Sequence, residues 1–121
     1  QTWKDINLIH DVDVISGAFF FARKEVFTTV GLFDEGYFMY AEDIDLCLRI
    51  ANQHLKIGFN PQVKAMHYKG QSGRKEQSSK AHYYFWQTMK LFYQKHYVHK
   101  YPKMIMWLIF TVLDYKIKQY A

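Results

Sequence analysis

The sequence runs to 121 residues, half of them hydrophobic and 22% charged. That is enough for one domain, and too apolar for a disordered or collagen-like chain. Its one cysteine, Cys47, excludes an intramolecular disulfide framework and a cysteine-rich zinc site. The net charge of +5 is unevenly spread: residues 1–53 hold four Lys or Arg against nine Asp or Glu, and residues 54–103 hold ten against one. An acidic half followed by a basic half suits a site where carboxylates meet an anionic substrate, and equally a solvated lysine-rich surface. The chain opens on Gln1-Thr2-Trp3, with neither a methionine nor an Arg-flanked apolar leader, and is expected to be a piece of a longer polypeptide.

Between Asp11 and Arg23, Val12, Val14 and Ser16 alternate with Asp13 and Ile15 ahead of an aromatic run. The pattern predicts two short buried strand segments around a kink at Gly17. A short helix follows over Lys24–Val30, stopped by Gly31 as its C-terminal cap. Leu32 to Tyr40 reads as an aromatic, acidic loop. The clearest helix spans Glu42–Gln53, with Ile44, Leu48 and Ala51, and also Cys47 and Ile50, at helical spacing to form one apolar face. Glu42, Asp43 and Asp45 crowd its first turn, where the helix dipole favours negative charge. Asp45 and Arg49 stand four apart and can pair across its surface. Strands are expected at Lys56–Phe59 and Val63–His67 about the Asn60-Pro61 turn. A polar, glycine-containing loop runs from Tyr68 to Ser78. A helix then extends from Ser78 or Ser79 to about His99, its inner stripe formed by Ala81, Phe85, Met89, Phe92 and His96. Beyond Pro102 a last helix covers Lys103–Tyr120.

Two features can carry chemistry. The segment from Gly31 to Arg49 delivers three carboxylates to a helix start directly after an aromatic loop. Such a group acts as a base only when a proton is brought within hydrogen-bond reach, and acids in a first helical turn also occur for stability alone. The segment lacks the glycine and terminal glutamate of an EF-hand loop. The second feature is His67 at a strand end, followed by Lys69, Arg74 and Lys75 in a loop containing Gly70 and Gly73. Imidazole, cations and glycines in that order suit a metal-bound diphosphate, and a lone histidine is also an ordinary structural residue.

Taken in order, Ser16-Gly17-Ala18, Arg23, Gly31-Leu-Phe-Asp-Glu, Phe38-Met-Tyr-Ala-Glu-Asp-Ile-Asp-Leu-Cys-Leu-Arg and His67-Tyr-Lys-Gly-Gln-Ser resemble the C-terminal half of family 2 glycosyltransferases, nearest the bacterial rhamnosyltransferase-like group. The likeness covers about Val12 to Lys75. It implies an α/β fold: residues 1–77 as the acceptor-side, base-bearing half of a GT-A domain, and residues 78–121 as a C-terminal helical extension. It further implies an inverting transfer of sugar from a nucleotide-diphosphate donor to an acceptor hydroxyl, in cell-surface polysaccharide synthesis. By the same resemblance Asp43 is the catalytic base, Glu42 and Asp45 orient the acceptor or hold the loop, and Ser16, Gly17 and Ala18 line the sugar pocket. His67 helps to hold Mg²⁺ or Mn²⁺ on the diphosphate, and Arg74 and Lys75 assist it on loop closure. The nucleotide-binding half with its Asp-x-Asp motif has no counterpart here, because Asp11-Val-Asp13 lies too close to the Ser-Gly-Ala segment. The chain alone is therefore expected to be inactive.

Met104 to Leu113 is apolar around its circumference but half the length a bilayer span needs, about twenty residues. Trp107, Tyr115, Tyr120, Lys116 and Lys118 suit a helix lying at a membrane interface, with Lys90, Lys95 and Lys100 adding basic charge. The expected partners are a nucleotide-sugar donor, a saccharide or lipid-linked acceptor and a membrane surface, in the cytoplasm at the inner face of the plasma membrane. Packing on a protein partner is the other use of that helix. A non-catalytic membrane or protein-interaction domain retaining the enzyme's fold is the alternative reading. A nucleic-acid-binding module is disfavoured, because no recognised motif accompanies the basic stretch and the acidic first half repels phosphate.

Overall fold

A computed structural model describes residues 6–66 and 78–121, the latter without the side chains of Ser78 and Ser79. The expected His67, Arg74 and Lys75 contributions lie outside the described residues. Within them the chain is mixed helix and sheet. The order is β1 (His10–Val12), a 3-10 turn (Gly17–Phe19), α1 (Lys24–Val30), α2 (Glu42–Asn52), β2 (Ile57–Phe59), α3 (Ser78–His96) and α4 (Lys103–Tyr120). The residues fall into two compact units, Gln1–Asp34 with Glu42–His67 and Glu35–Ala41 with Tyr68–Ala121.

In the first unit β1 and β2 pair antiparallel, with His10 opposite Phe59, Asp11 opposite Gly58 and Val12 opposite Ile57. Lys56 and Asp11 form an exposed ion pair (2.9 Å) across the two strands. The hydrogen bond to the Asp11 carboxylate holds the Lys56 ammonium above its ordinary range. Leu46, Cys47, Ile50 and Ile57 form the buried core, with Val12, Ile15, Phe20, Val26, Phe27 and Val30 packed against it.

Three expectations change here. The segment after Gly17 is a 3-10 turn rather than a strand, because the Ser16 hydroxyl accepts the Ala18 N–H (3.3 Å) and curls the chain. Phe21 is left 81% exposed, so the aromatic run is not a buried strand. Val63 to Met66 has no strand pairing either. The apolar face of α2 is also rotated: Ile44 and Ala51 are exposed, and Asp45 and Leu46 are buried instead.

The helix ends follow local chemistry. Gly31 caps α1 at φ 81°, its N–H donating to the Phe27 carbonyl (2.9 Å). Beyond α2, His54 adopts φ 56°, while its N–H reaches Ala51 O (2.9 Å) and the Leu55 N–H reaches Ile50 O (3.3 Å). That is a Schellman arrangement with a non-glycine residue at the left-handed position. Replacing His54 with Gly is expected to stabilise the protein by about 0.5–1 kcal/mol, the relief of left-handed strain exceeding glycine's added chain entropy. Urea unfolding of the two proteins measures it.

In the second unit α3 packs along α4. α3 stops at His96, short of His99, where the Tyr97 and Val98 N–H groups both turn to the Tyr93 carbonyl (3.0 and 3.1 Å). The Pro102 carbonyl then accepts from Ile105 and Met106 to open α4 (3.0 and 3.1 Å). The most buried residue of α3 is Thr88, whose hydroxyl donates back to the helix at Tyr84 O or Phe85 O. Phe85, expected on the inner stripe, is 40% exposed. Met106 and Leu113 are the buried positions of α4, and a Lys90–Asp114 ion pair (2.5 Å) ties the two helices. Tyr37 and Phe38 of the preceding loop belong with this unit: Lys95 lies over the Tyr37 ring (5.0 Å), and the Phe38 ring lies tilted against Tyr84 (centroids 4.6 Å apart).

Candidate active site

The chain enters α2 through two consecutive left-handed residues, Tyr40 (φ 67°) and Ala41 (φ 64°). Side-chain-bearing residues adopt that conformation at a cost of roughly 1–2 kcal/mol each. Such strain collects where surrounding structure fixes a functional group. The residues delivered are Glu42 and Asp43.

Asp43 is half-buried, and each of its carboxylate oxygens is held. Oδ2 accepts the Gly17 N–H (3.0 Å), and Oδ1 accepts the Ile44 N–H (2.8 Å). Each oxygen keeps a second lone pair for another donor. The acid thus reaches across 26 positions of sequence to grip the Ser16-Gly17-Ala18 turn. A Cβ added at Gly17 would lie 3.7 Å from the Asp43 Cβ, an ordinary contact. The glycine is therefore not required here by crowding.

Ser16 and Ala18 line an open, mainly apolar groove of about 750 Å³ together with Phe19, Phe21, Phe59 and Val12, whereas Gly17, Glu42 and Asp43 are not among its lining residues. Aromatic faces beside a hydroxyl and backbone groups are the surfaces on which the apolar face of a pyranose can lie.

Glu42 is half-buried, and its Oε2 meets no hydrogen-bond donor among the described residues. A buried carboxylate oxygen in that state is costly unless a ligand or water satisfies it. Asp45 behaves differently. It is only 1% exposed and takes the Arg49 Nε–H at 2.8 Å. Arg49 also donates to the carbonyls of Val30 and Leu32. The pair expected on the helix surface is thus a buried clasp between α2 and the end of α1.

The Cys47 thiol is buried beside the Ile15 carbonyl, and burial pushes it above its ordinary range. At neutral pH it holds less thiolate than a free cysteine. Thiol–disulfide exchange with a water-soluble disulfide reagent is expected to be at least about 100-fold slower in the native protein than in urea. Equal rates would show the thiol to be open.

Among the described residues no three His, Cys, Asp or Glu side chains converge to hold a metal ion. Sequence reasoning named Asp43 and the Ser-Gly-Ala turn separately but had no signal for the hydrogen bond joining them. It also missed Arg49's two backbone carbonyls, which lie 17 and 19 positions away.

Over 57 residues, 47% of its length, the chain is 46% identical to rhamnosyltransferase WbbL of Escherichia coli, of which the match covers 22%. Over 65 residues, 54% of its length, it is 35% identical to the N-acetylglucosaminyl-diphospho-decaprenol L-rhamnosyltransferase of Mycobacterium tuberculosis, covering 21% of that protein. The chain thus spans about a fifth of the length of the curated relatives it matches. No protein-family model matches the chain. No solved structure matches it either. Over the matched stretch the sequence is similar to these rhamnosyltransferases.

Proposed function

We propose that this chain is the acceptor-side, base-bearing part of an inverting family 2 glycosyltransferase with a GT-A fold. It would move a sugar from a nucleotide-diphosphate donor to a hydroxyl of a saccharide or lipid-linked acceptor, in bacterial cell-surface polysaccharide synthesis at the cytoplasmic face of the membrane. Two rhamnosyltransferase relatives support the reading, and one of them carries a polyprenyl-diphosphate sugar in its name. The observation that carries it is the Asp43 carboxylate, fixed by two backbone N–H groups against the turn that lines the groove.

In this reading the acceptor hydroxyl donates to a remaining lone pair of Asp43. As the hydroxyl oxygen attacks the anomeric carbon, its proton passes to the carboxylate. The bond to the diphosphate oxygen breaks, and the nucleoside diphosphate departs with the electron pair. Attack from the opposite side inverts the carbon. Glu42, whose Oε2 is buried and meets no described donor, orients the acceptor through its other oxygen or holds the loop. Ser16, Gly17 and Ala18 bound the sugar site. Asp45, buried on Arg49, holds α2 rather than touching substrate. Arg74 and Lys75 are proposed to meet the departing diphosphate, and His67 to be this chain's ligand to a divalent cation there. The donor's nucleotide would be bound by a segment that this chain does not supply.

The test is a chimera in which the matched stretch of the E. coli relative is replaced by this chain's residues. The chimera should transfer sugar, its Asp43→Asn form should not, and the 121-residue chain alone should not. Robust transfer by the chain alone would contradict the proposal.

A further inference from the structure

We propose that the outward face of α4 lies on the surface of an anionic lipid bilayer. Met104, Ile105, Trp107, Leu108, Val112 and Tyr115 are 43–78% exposed. At 100° per residue they fall within an arc of about 160° on one side of the helix. Met106 and Leu113, the buried positions, lie on the opposite side. The helix therefore has two apolar faces, and α3 accounts for one of them.

Charge selects the occupant of the other. Residues 78–121 hold seven lysines and one acid, Asp114, and that acid is engaged by Lys90. Lys118 lies within the arc and Lys103 borders it by helical spacing, while Lys116, at the other border, holds its ammonium over the Trp86 ring of α3 (5.9 Å). A second copy of the chain would bring the same excess of lysines to the same face, so like charges would oppose pairing. An anionic headgroup layer offers the complementary sign. At the start of the helix, exposed Tyr101 continues a ring series with Tyr97 (5.8 Å) and Tyr93 (5.3 Å from Tyr97). Lys100 covers Tyr97 (5.3 Å). Tyr, Trp and Lys together are the composition of a headgroup-level belt. Among the described residues no helix is long and apolar enough to cross a membrane, so α4 lies along the surface.

The inference rests on the proposed function only for its purpose, since a lipid-linked acceptor would be met there, and its test reads no transfer. The whole 121-residue chain is floated with vesicles of phosphatidylcholine and phosphatidylglycerol, and with phosphatidylcholine alone. Binding is expected on the mixed vesicles, and about ten-fold less on the neutral ones or in high salt. The exposed double substitution Leu108→Glu with Val112→Glu should cut flotation by a further factor of about ten with an unchanged helical circular dichroism spectrum. In the unsubstituted chain, brominated acyl chains should quench an emission component that Trp107→Phe removes. A chain that never floats would overturn the proposal, as would a double variant that floats equally or a Trp107 beyond reach of bromine. So would a lipid-free dimer that the double variant splits while neither form floats, which would assign the face to self-association.

Discussion

Asp43→Asn in the chimeric transferase is expected to lower kcat by about 10²–10⁴, with the acceptor KM changed little. Asn keeps the size of the side chain and one carbonyl oxygen but cannot accept the acceptor's proton. The geometry around it makes the result interpretable. Both Asp43 oxygens accept backbone N–H groups, from Gly17 and Ile44, so an amide nitrogen must face one of those donors. That loses one hydrogen bond, about 1–3 kcal/mol of stability, and unfolding measured beside the kinetics separates this loss from the chemistry. A fall in kcat far beyond the fraction unfolded identifies a base. A rate within about three-fold of the parent would reduce Asp43 to a clamp on the Ser16-Gly17-Ala18 turn and favour a non-catalytic domain. Glu42→Gln is the comparison: its Oε2 binds nothing described, and as an acceptor contact it should act mainly on KM.

The helices of this chain were readable from residue order because their signals are local. Gly31 stops α1 through its own φ, Pro102 opens α4 by lacking an N–H, and the acids of α2 stand at its first turn. What was not readable depends on contacts distant in sequence. The run after Gly17 carries strand composition, but Ser16 turns it locally, and the short sheet joins β1 to β2. The rotation of α2 is the telling case. Asp43 and Asp45 are the same residue type two positions apart, and two positions on a helix are about 200° of turn. One therefore faces the turn beside the groove while the other enters the core. Sequence alone could place both at a helix start, but not say which acid is buried. The site was half legible for the same reason: its residue types were visible, and the Gly17–Asp43 bond that assembles them was not.

That buried acid yields the largest stability effect expected of any single side chain here. Arg49→Met leaves Asp45, 1% exposed, without the guanidinium at 2.8 Å. Removing one partner of a largely buried pair costs up to about 3–5 kcal/mol, because the remaining charge has lost its guanidinium. The carbonyls of Val30 and Leu32 lose their donor in the same step. Against a typical stability of roughly 5–15 kcal/mol, a melting point lower by about 10–20 °C follows. Arg49→Lys should fall between, since an ammonium keeps the charge but cannot serve three acceptors with a rigid fork. The double change Asp45→Leu with Arg49→Met should recover part of the loss, because no charge is then left buried. Additive single and double values would mean that the two side chains do not act as a pair. The exposed Lys56–Asp11 pair supplies the contrast: its disruption should cost little and lose even that in high salt, whereas the Asp45–Arg49 clasp should respond little to salt.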